Sequence, residues 1–293
     1  MAAVALGLAT VACSSGPTRA PSLLADFAQA ARDAGTVAFE MTSTQTWDDG
    51  AGAREFTTSA EGRFDINTLH GEFTMDVGDI YERTEADWPG DRPSFPSVQH
   101  VLLFGDRWYL EISDEHREWY QEAPPEARWM RARSEEAAIT GSFDLFSPLP
   151  DPGSYFATLQ EIAVTVEPKD AESIRGVATT RYRVVVDMKA AEERVPEQQR
   201  EWFRQFRKEV GNRLPMSVWI GDDDALLYRQ RVPMSFGGAE IVTTTDFFDY
   251  GRPVEIQEPS EDEVWEPDEQ GGTETRRTFS CTGSSVDEGS QDC

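Results

Sequence analysis

The chain has 293 residues and a formal net charge of −27, from 54 acidic against 27 basic side chains. That balance excludes nucleic acid as a partner, because phosphates would be repelled. A hydrophobic fraction of 39% still allows a sizeable core in a chain of this length, and strand patterns run from about residue 37 to 250 without a low-complexity break, which predicts one domain.

Residues 1–12 are small and apolar, and Cys13 follows at once in Thr-Val-Ala-Cys-Ser-Ser-Gly. The run has the length of a signal-peptide core and is too short to span a bilayer. It resembles the end of a bacterial lipoprotein signal, in which a small residue precedes the Cys that becomes acylated. Thr10 stands where Leu is usual, and no basic stretch precedes the run. The expectation is a signal peptide over 1–12, a lipid on Cys13 and a Ser/Gly/Pro tether over 13–21, which puts the domain on the outer face of the cell membrane. The competing reading is an ordinary Cys in an unstructured N-terminus. With Cys13 acylated, Cys281 and Cys293 remain as a pair for a disulfide in an oxidising compartment.

The domain is expected over 22–250. Ser22 can cap a helix in which Leu23, Leu24, Phe27, Ala28 and Ala31 recur at helical spacing, with Gly35 ending it. Three alternating segments follow, carrying Val37, Phe39 and Met41, then Phe56, Ala60, Phe64 and Ile66, then Phe73, Met75 and Val77. With polar partners on the other face and short turns, they predict an antiparallel meander. Three prolines mark 85–96 as a loop. Residues 101–112 read as one strand, with 118–121 as its hairpin partner. Between 124 and 152 the pattern is irregular, and Phe143, Leu145, Phe146 and Leu149 suggest a short buried turn of helix. A helix is expected over 155–162 and a strand from 164.

The stretch 176–232 reads strand, helix, strand, tight turn, strand. Tyr182, Val184, Val186 and Met188 point one way, and Arg181, Arg183 and Asp187 the other. The helix over 196–210 gathers Trp202, Phe203, Phe206 and Val210 on one face, which must lie on something, most simply the concave face of the sheet. A last strand covers 239–250. From 251 to 293 the composition turns acidic, and this tail is expected to be disordered.

Asp222, Asp223 and Asp224 invite a metal reading, but the EF-hand spacing is missing, and Asp and Gly are favoured in a hairpin turn for backbone reasons. They are read as a turn, with no metal site. His70, His100 and His116 are scattered without ligand spacing. No Gly-x-Ser-x-Gly elbow, phosphate loop or dinucleotide fingerprint is present, so no catalytic residue and no cofactor is assigned, and the chain is read as a binder and not as an enzyme. The inward residues Phe39, Met41, Phe56, Phe64, Phe73, Met75, Tyr182, Val184 and Val186 fit either a filled core or the lining of an apolar pocket. Trp202 and Phe206 join that candidate lining from the helix, which becomes a lid.

The block Gly176, Thr179, Tyr182, Val184, Asp187, followed after a helix by Leu-Pro-x-x-Val-Trp-Ile-Gly-Asp-Asp-Asp-x-Leu-x-x-Arg (214–229), resembles the LppX/LprG-type lipoproteins of actinobacteria, whose fold is similar to the LolA/LolB carriers. The resemblance is specific over 176–232, loose over 23–122 and absent in the tail. It implies an α+β fold, a strongly curved antiparallel sheet forming a half-open barrel around a few helices, with an apolar cavity that in some members carries acylated lipids. The expected function is an envelope lipoprotein that binds or carries a hydrophobic ligand, a lipid. The alternative is a membrane-tethered sensor or adaptor that binds an envelope protein partner, with the acidic tail as an electrostatic arm.

Overall fold

The computed structural model describes residues 20–48, 52–77, 97–114, 117, 120, 122–133, 152–195, 197 and 200–267. Cys13, Cys281, Cys293, His116 and the expected helical turn at 143–149 lie outside the described residues. The described chain folds into one large curved sheet of twelve strands, with helices against its inner face.

Helix α1 (Ala20–Ala34) leads through Gly35, at φ +77°, into β1 (Thr36–Asp48). Then come β2 (Ala53–Asp65), β3 (His70–Asp76), β4 (Val98–Phe104), β5 (Arg107–Glu111) and β6 (Trp129–Arg133). Helix α2 (Pro152–Ile162) precedes β7 (Ala163–Ile174) and β8 (Val177–Asp187), and α3 (Met188–Glu192) and α4 (Arg200–Val210) precede β9 (Arg213–Gly221), β10 (Leu227–Phe236) and β11 (Ala239–Phe248). A two-residue β12 (Val264–Trp265) ends the described chain.

The strand order is β12-β6-β5-β4-β3-β2-β1-β11-β10-β9-β8-β7. Each half is a meander of neighbours in sequence, and the halves join where β1 pairs with β11, Phe39 opposite Phe247. All pairs are antiparallel except β12 with β6. The sheet is open, with β7 at one edge and β12 at the other.

The period-2 pattern sets the inner face as expected. Val37 and Phe39 of β1, Ala60 and Phe64 of β2, Val184 and Val186 of β8 and Phe247 of β11 are all buried in one cluster with Leu24, Phe27, Tyr155, Phe156 and Leu159 of the helices. Phe39 stacks on Phe64 at 5.4 Å, and Phe27 meets Tyr182 edge-on at 5.8 Å. Helices and both halves of the sheet therefore share one core.

Two inner-face glycines let these rings lie flat on the strands. At Gly71 a Cβ would stand 2.0 Å from Cε1 and 2.1 Å from Cδ1 of Phe64. At Gly62, opposite Phe73, it would stand 2.4 Å from the Glu72 carbonyl oxygen and 2.4 Å from Cβ of Phe73.

The structure corrects the sequence reading at four places. Residues 101–112 hold parts of two strands, β4 and β5, because Gly105 takes φ +64° and turns the chain. The hairpin partner of β5 is β6 at 129–133, not 118–121. A short helix, α3, follows β8 directly, because the Asp187 carboxylate accepts the backbone N–H groups of Lys189 and Ala190 and caps it.

The fourth difference is the tail. Residues 251–267 are not disordered: they run over the outer face of β4 and β5 as a strap and end as β12 at the edge of β6, where Trp265 turns to the inner side with Met130. Ile256 and Val264 pack on Leu102, Phe104 and Tyr109, and Trp265 packs on Ile112, Tyr120, Ala127 and Met130. The Tyr109 hydroxyl donates to Glu258 at 2.6 Å, Arg107 pairs with the same carboxylate, Arg131 pairs with Glu261 at 2.7 Å and with Glu266, and the Arg128 N–H donates to the Glu263 carbonyl at 2.8 Å. The packed domain thus extends to 267.

Candidate functional site

The inner face is the place where the candidate lining residues can meet. From β1 through β5 and from β9 through β11, the register puts one charged side chain on this face, Arg54, and it stands at the end of the sheet where β1 finishes. Among the described residues of these strands, the other charged side chains are carried on the outer face. There Arg63, Glu72, His100 and Glu111 run across β2 to β5, and Arg229 pairs twice with Asp246, at 2.6 and 2.7 Å.

The expected lining residues divide into four groups. Phe39, Phe64, Val184 and Val186 are fully buried beneath α1 and α2 and are core. Met41, Phe73, Met75 and Tyr182 share their face but are half-buried. Phe73 continues the aromatic row, 6.0 Å from Phe64 and 5.9 Å from Trp108. Phe56 is packed edge-on against Trp47 at 4.3 Å, at the end of the sheet away from α1. On α4, Phe203 and Phe206 turn inward and Phe206 meets Phe236 of β10 at 5.2 Å, as expected of a helix lying on the sheet. Trp202 stacks on Phe206 at 5.3 Å but remains 43% exposed, at the margin of the helix's buried stripe.

The inner face also carries a set of half-buried apolar side chains, interleaved with Ser43, Thr243 and Thr245 on the same face. Met41, Phe73, Met75, Trp108, Met234 and Phe236 supply the set from β1, β3, β5 and β10. Three of the six are methionines, whose unbranched thioethers adapt to irregular occupants.

A polar cluster that the sequence reading missed stands at the same level. The Gln230 amide donates to the Tyr155 hydroxyl at 2.8 Å, and that hydroxyl donates to Met216 Sδ at 3.2 Å. Gln230 is 2% exposed and Tyr155 4%. Burial pushes the Tyr155 phenol far above its usual range, against the hydrogen bond from Gln230, and burial together with the Asp222 charge raises that of Tyr182. Both are neutral hydroxyls at any physiological pH, so the half-buried set meets uncharged polarity and no ion. Gln230 was legible in the sequence, since it lies in phase with Val232 and Met234. Tyr155 carried no signal beyond its helix.

The Asp222–Asp224 segment closes the β9–β10 hairpin. Asp224 accepts from the Leu226 N–H at 3.0 Å and from the Tyr228 hydroxyl at 2.7 Å, and Asp222 accepts from Thr180 at 2.7 Å. Burial, then the hydrogen bond to Asp224, pushes the Tyr228 phenol up to about 12. Among the described residues no three His, Cys, Asp or Glu side chains gather as metal ligands. His70 lies against Phe104 at 4.6 Å and lines a groove of about 310 Å3 with Asp65, Thr68 and strap residues 254–257, on the outer side of the sheet. Among the described residues no helix is long and apolar enough to cross a membrane.

No protein-family model and no curated protein matches the chain. Among solved structures it is similar to the lipoprotein LppX of Mycobacterium tuberculosis, at 15% identity and a TM-score of 0.46, covering 81% of this chain and 99% of that one. It is also similar to LprF from Mycobacterium bovis, at 14% identity and a TM-score of 0.44 over 83% and 97% of the two chains. A LolA superfamily protein from Nitrosomonas europaea follows at 10% identity and a TM-score of 0.31, over 80% and 94%. LppX and the LolA superfamily are the groups that the 176–232 block resembles.

Proposed function

We propose that this protein is a cell-envelope lipoprotein, anchored through a lipid on Cys13, that binds or carries a hydrophobic ligand, a lipid, between its sheet and its helices. It works by binding and not by catalysis. The observation that carries the reading is the half-buried apolar set of Met41, Phe73, Met75, Trp108, Met234 and Phe236 on an inner face almost free of charge. A chain with twice as many acidic as basic residues that keeps this face uncharged is built to receive apolar matter there.

In this reading the sheet wraps as a half-open barrel, α4 with Phe206 and Trp202 is the lid, Phe56 lines the entrance, and half-buried Tyr182 meets the polar end of the ligand, with the Tyr155–Gln230 pair buried in the core. Phe39, Phe64, Val184 and Val186 form the floor. Native mass spectrometry of protein purified from its own host tests the reading. A co-purified lipid that Met41→Asp/Met75→Asp expels is expected. Protein that carries no lipid, and takes up none from mixed micelles, would end it.

A further inference from the structure

On the inner face one register row runs to the edge of the sheet without a polar side chain. Phe73 of β3 lies opposite Val101 of β4, Val101 opposite Leu110 of β5, and Leu110 opposite Met130 of β6. The next member of the row comes from the tail. Trp265 of β12 lies opposite Met130 and packs with it on Ile112, Tyr120 and Ala127. Phe73 belongs to the half-buried lining, and Gln99, opposite the lining residue Met75, shares a hydrogen bond with the Tyr120 hydroxyl. Among the described residues, Trp265 is therefore the side chain that closes the inner face where the sheet ends.

The rest of the strap, on the other side of the sheet, holds Trp265 in place, and charge fastens it. Residues 253–267 carry six acidic side chains and no basic one. Glu258 pairs with Arg107, Glu261 and Glu266 with Arg131, and Glu263 with Arg128 at 3.7 Å. The Glu261 and Glu266 side chains are 76% and 63% exposed, so salt screens their pairs. Ile256 and Val264 add apolar contact, yet no residue of 251–267 is fully buried. Pro253, Pro259 and Pro267 have no N–H to donate. The strap backbone meets the sheet through the two residues of β12 and through the Arg128 N–H, which donates to the Glu263 carbonyl at 2.8 Å. The root of the strap is pinned instead: the Gly251 N–H donates to the Thr36 carbonyl at 3.1 Å, and the Thr36 hydroxyl to the Arg252 carbonyl at 2.7 Å. A segment with a fixed root, exposed ion pairs and little buried surface opens at lower cost than the strands beneath it.

We infer that the strap is a charge-held gate on the β6 side of the inner face. Clasped to Arg107, Arg128 and Arg131, it keeps Trp265 over the end of the row. Released, it swings from residue 252 and opens a side passage to the half-buried lining, through which lipid enters and leaves. The inference rests on the reading of that lining as a lipid site.

The test uses full-length protein loaded from mixed micelles with a pyrene-labelled diacylglycerol. It follows transfer of the pyrene to phosphatidylcholine vesicles alongside hydrogen exchange of the Arg128 N–H. E258Q/E261Q/E266Q removes clasping charges and keeps the apolar contacts, so exchange and transfer should both speed roughly tenfold, the worth of about three exposed pairs. In the parent, transfer should speed by a similar factor between low salt and about 1 M sodium chloride, where the screening length is about 3 Å. The triple variant should be fast at both. W265A keeps the charges and removes the wall, so it should transfer fast already at low salt. Equal transfer by the parent and the triple variant overturns the gate, even where exchange at Arg128 has quickened, and W265A at the parent rate overturns the wall. A parent rate indifferent to salt also overturns the gate, and that reading needs no variant to fold. Parent protein that takes up no pyrene lipid ends the lipid reading and the gate's cargo with it, whereas loaded protein whose transfer ignores both strap and salt ends the gate alone.

Discussion

Gly71→Ala tests how the aromatic floor is packed. The new methyl would stand 2.0 Å from a Phe64 ring carbon, against about 3.5 Å for a relaxed carbon contact, so the ring must move by about 1.5 Å. It has little room: Phe64 is 2% exposed, stacked at 5.4 Å on Phe39 and 6.0 Å from Phe73. Overpacking of this kind costs about 1–3 kcal/mol, and we expect about 2 kcal/mol here, or a drop of about 4–8 °C in Tm for a domain of this size. Phe64→Leu removes the obstructing ring atoms, so in that background the same Gly71→Ala change should cost under about 1 kcal/mol, a coupling of about 1 kcal/mol or more. Urea denaturation of the four proteins followed by tryptophan fluorescence supplies the cycle. Additive effects, or a Gly71→Ala protein as stable as the parent, would show that Phe64 does not lie over Gly71.

Gly62→Ala should be worse than Gly71→Ala, because the obstacle at Gly62 includes the Glu72 carbonyl, which cannot rotate away; the same denaturation experiment ranks them. Tyr155→Phe removes a buried acceptor from the Gln230 amide and should cost about 1–3 kcal/mol, read as a lower urea midpoint at constant slope. Ending the chain at residue 252 strips the strap from Leu102, Phe104 and Tyr109 and should raise binding of a hydrophobic dye and speed hydrogen exchange of the Arg128 N–H, whose acceptor is Glu263. The hydrogen bond from Arg207, then the Arg207 and Arg204 charges, holds the Glu192 carboxyl below its ordinary value of 4.5. A depressed pKa stabilises above the unfolded value and loses that effect as pH falls through the folded one. The stability gap between parent and Glu192→Gln should therefore stay constant from neutral pH to about pH 5 and shrink below it; melting curves across that range check it.

Much of the sheet was legible because period-2 burial is a local property: Val37 with Phe39, and Tyr182 with Val184 and Val186, announce their face within a few residues. The readings that missed did so for physical reasons. Gly105 and Asp106 make a turn so short that it hides inside an apolar run, and Asp187 ends a strand and caps a helix at once, so Met188 looks like the strand's next inward residue. The strap's acids look solvated in sequence, yet Glu258 and Glu261 find Tyr109 and Arg131 across 149 and 130 positions. The candidate lining was half legible. Alternation identified Met41, Phe73 and Met75, but only the register reveals that Met234 and Phe236 join them.

The seam between β1 and β11 has a consequence for how the chain is made. Each meander can form from short-range hairpins, but each leaves a bare central edge until residues 36–48 meet 239–248. Closing that pair spans about two hundred residues of chain, which makes it the slow and aggregation-exposed step. The first strand to emerge during synthesis waits for the eleventh, and the strap that covers β6 arrives later still. The outward Glu40 and Asp246 face each other across this seam and are paired with Arg175 and Arg229 in the finished domain; while the seam is open each leaves a charge on its bare edge strand, which discourages that edge from recruiting a second copy of itself.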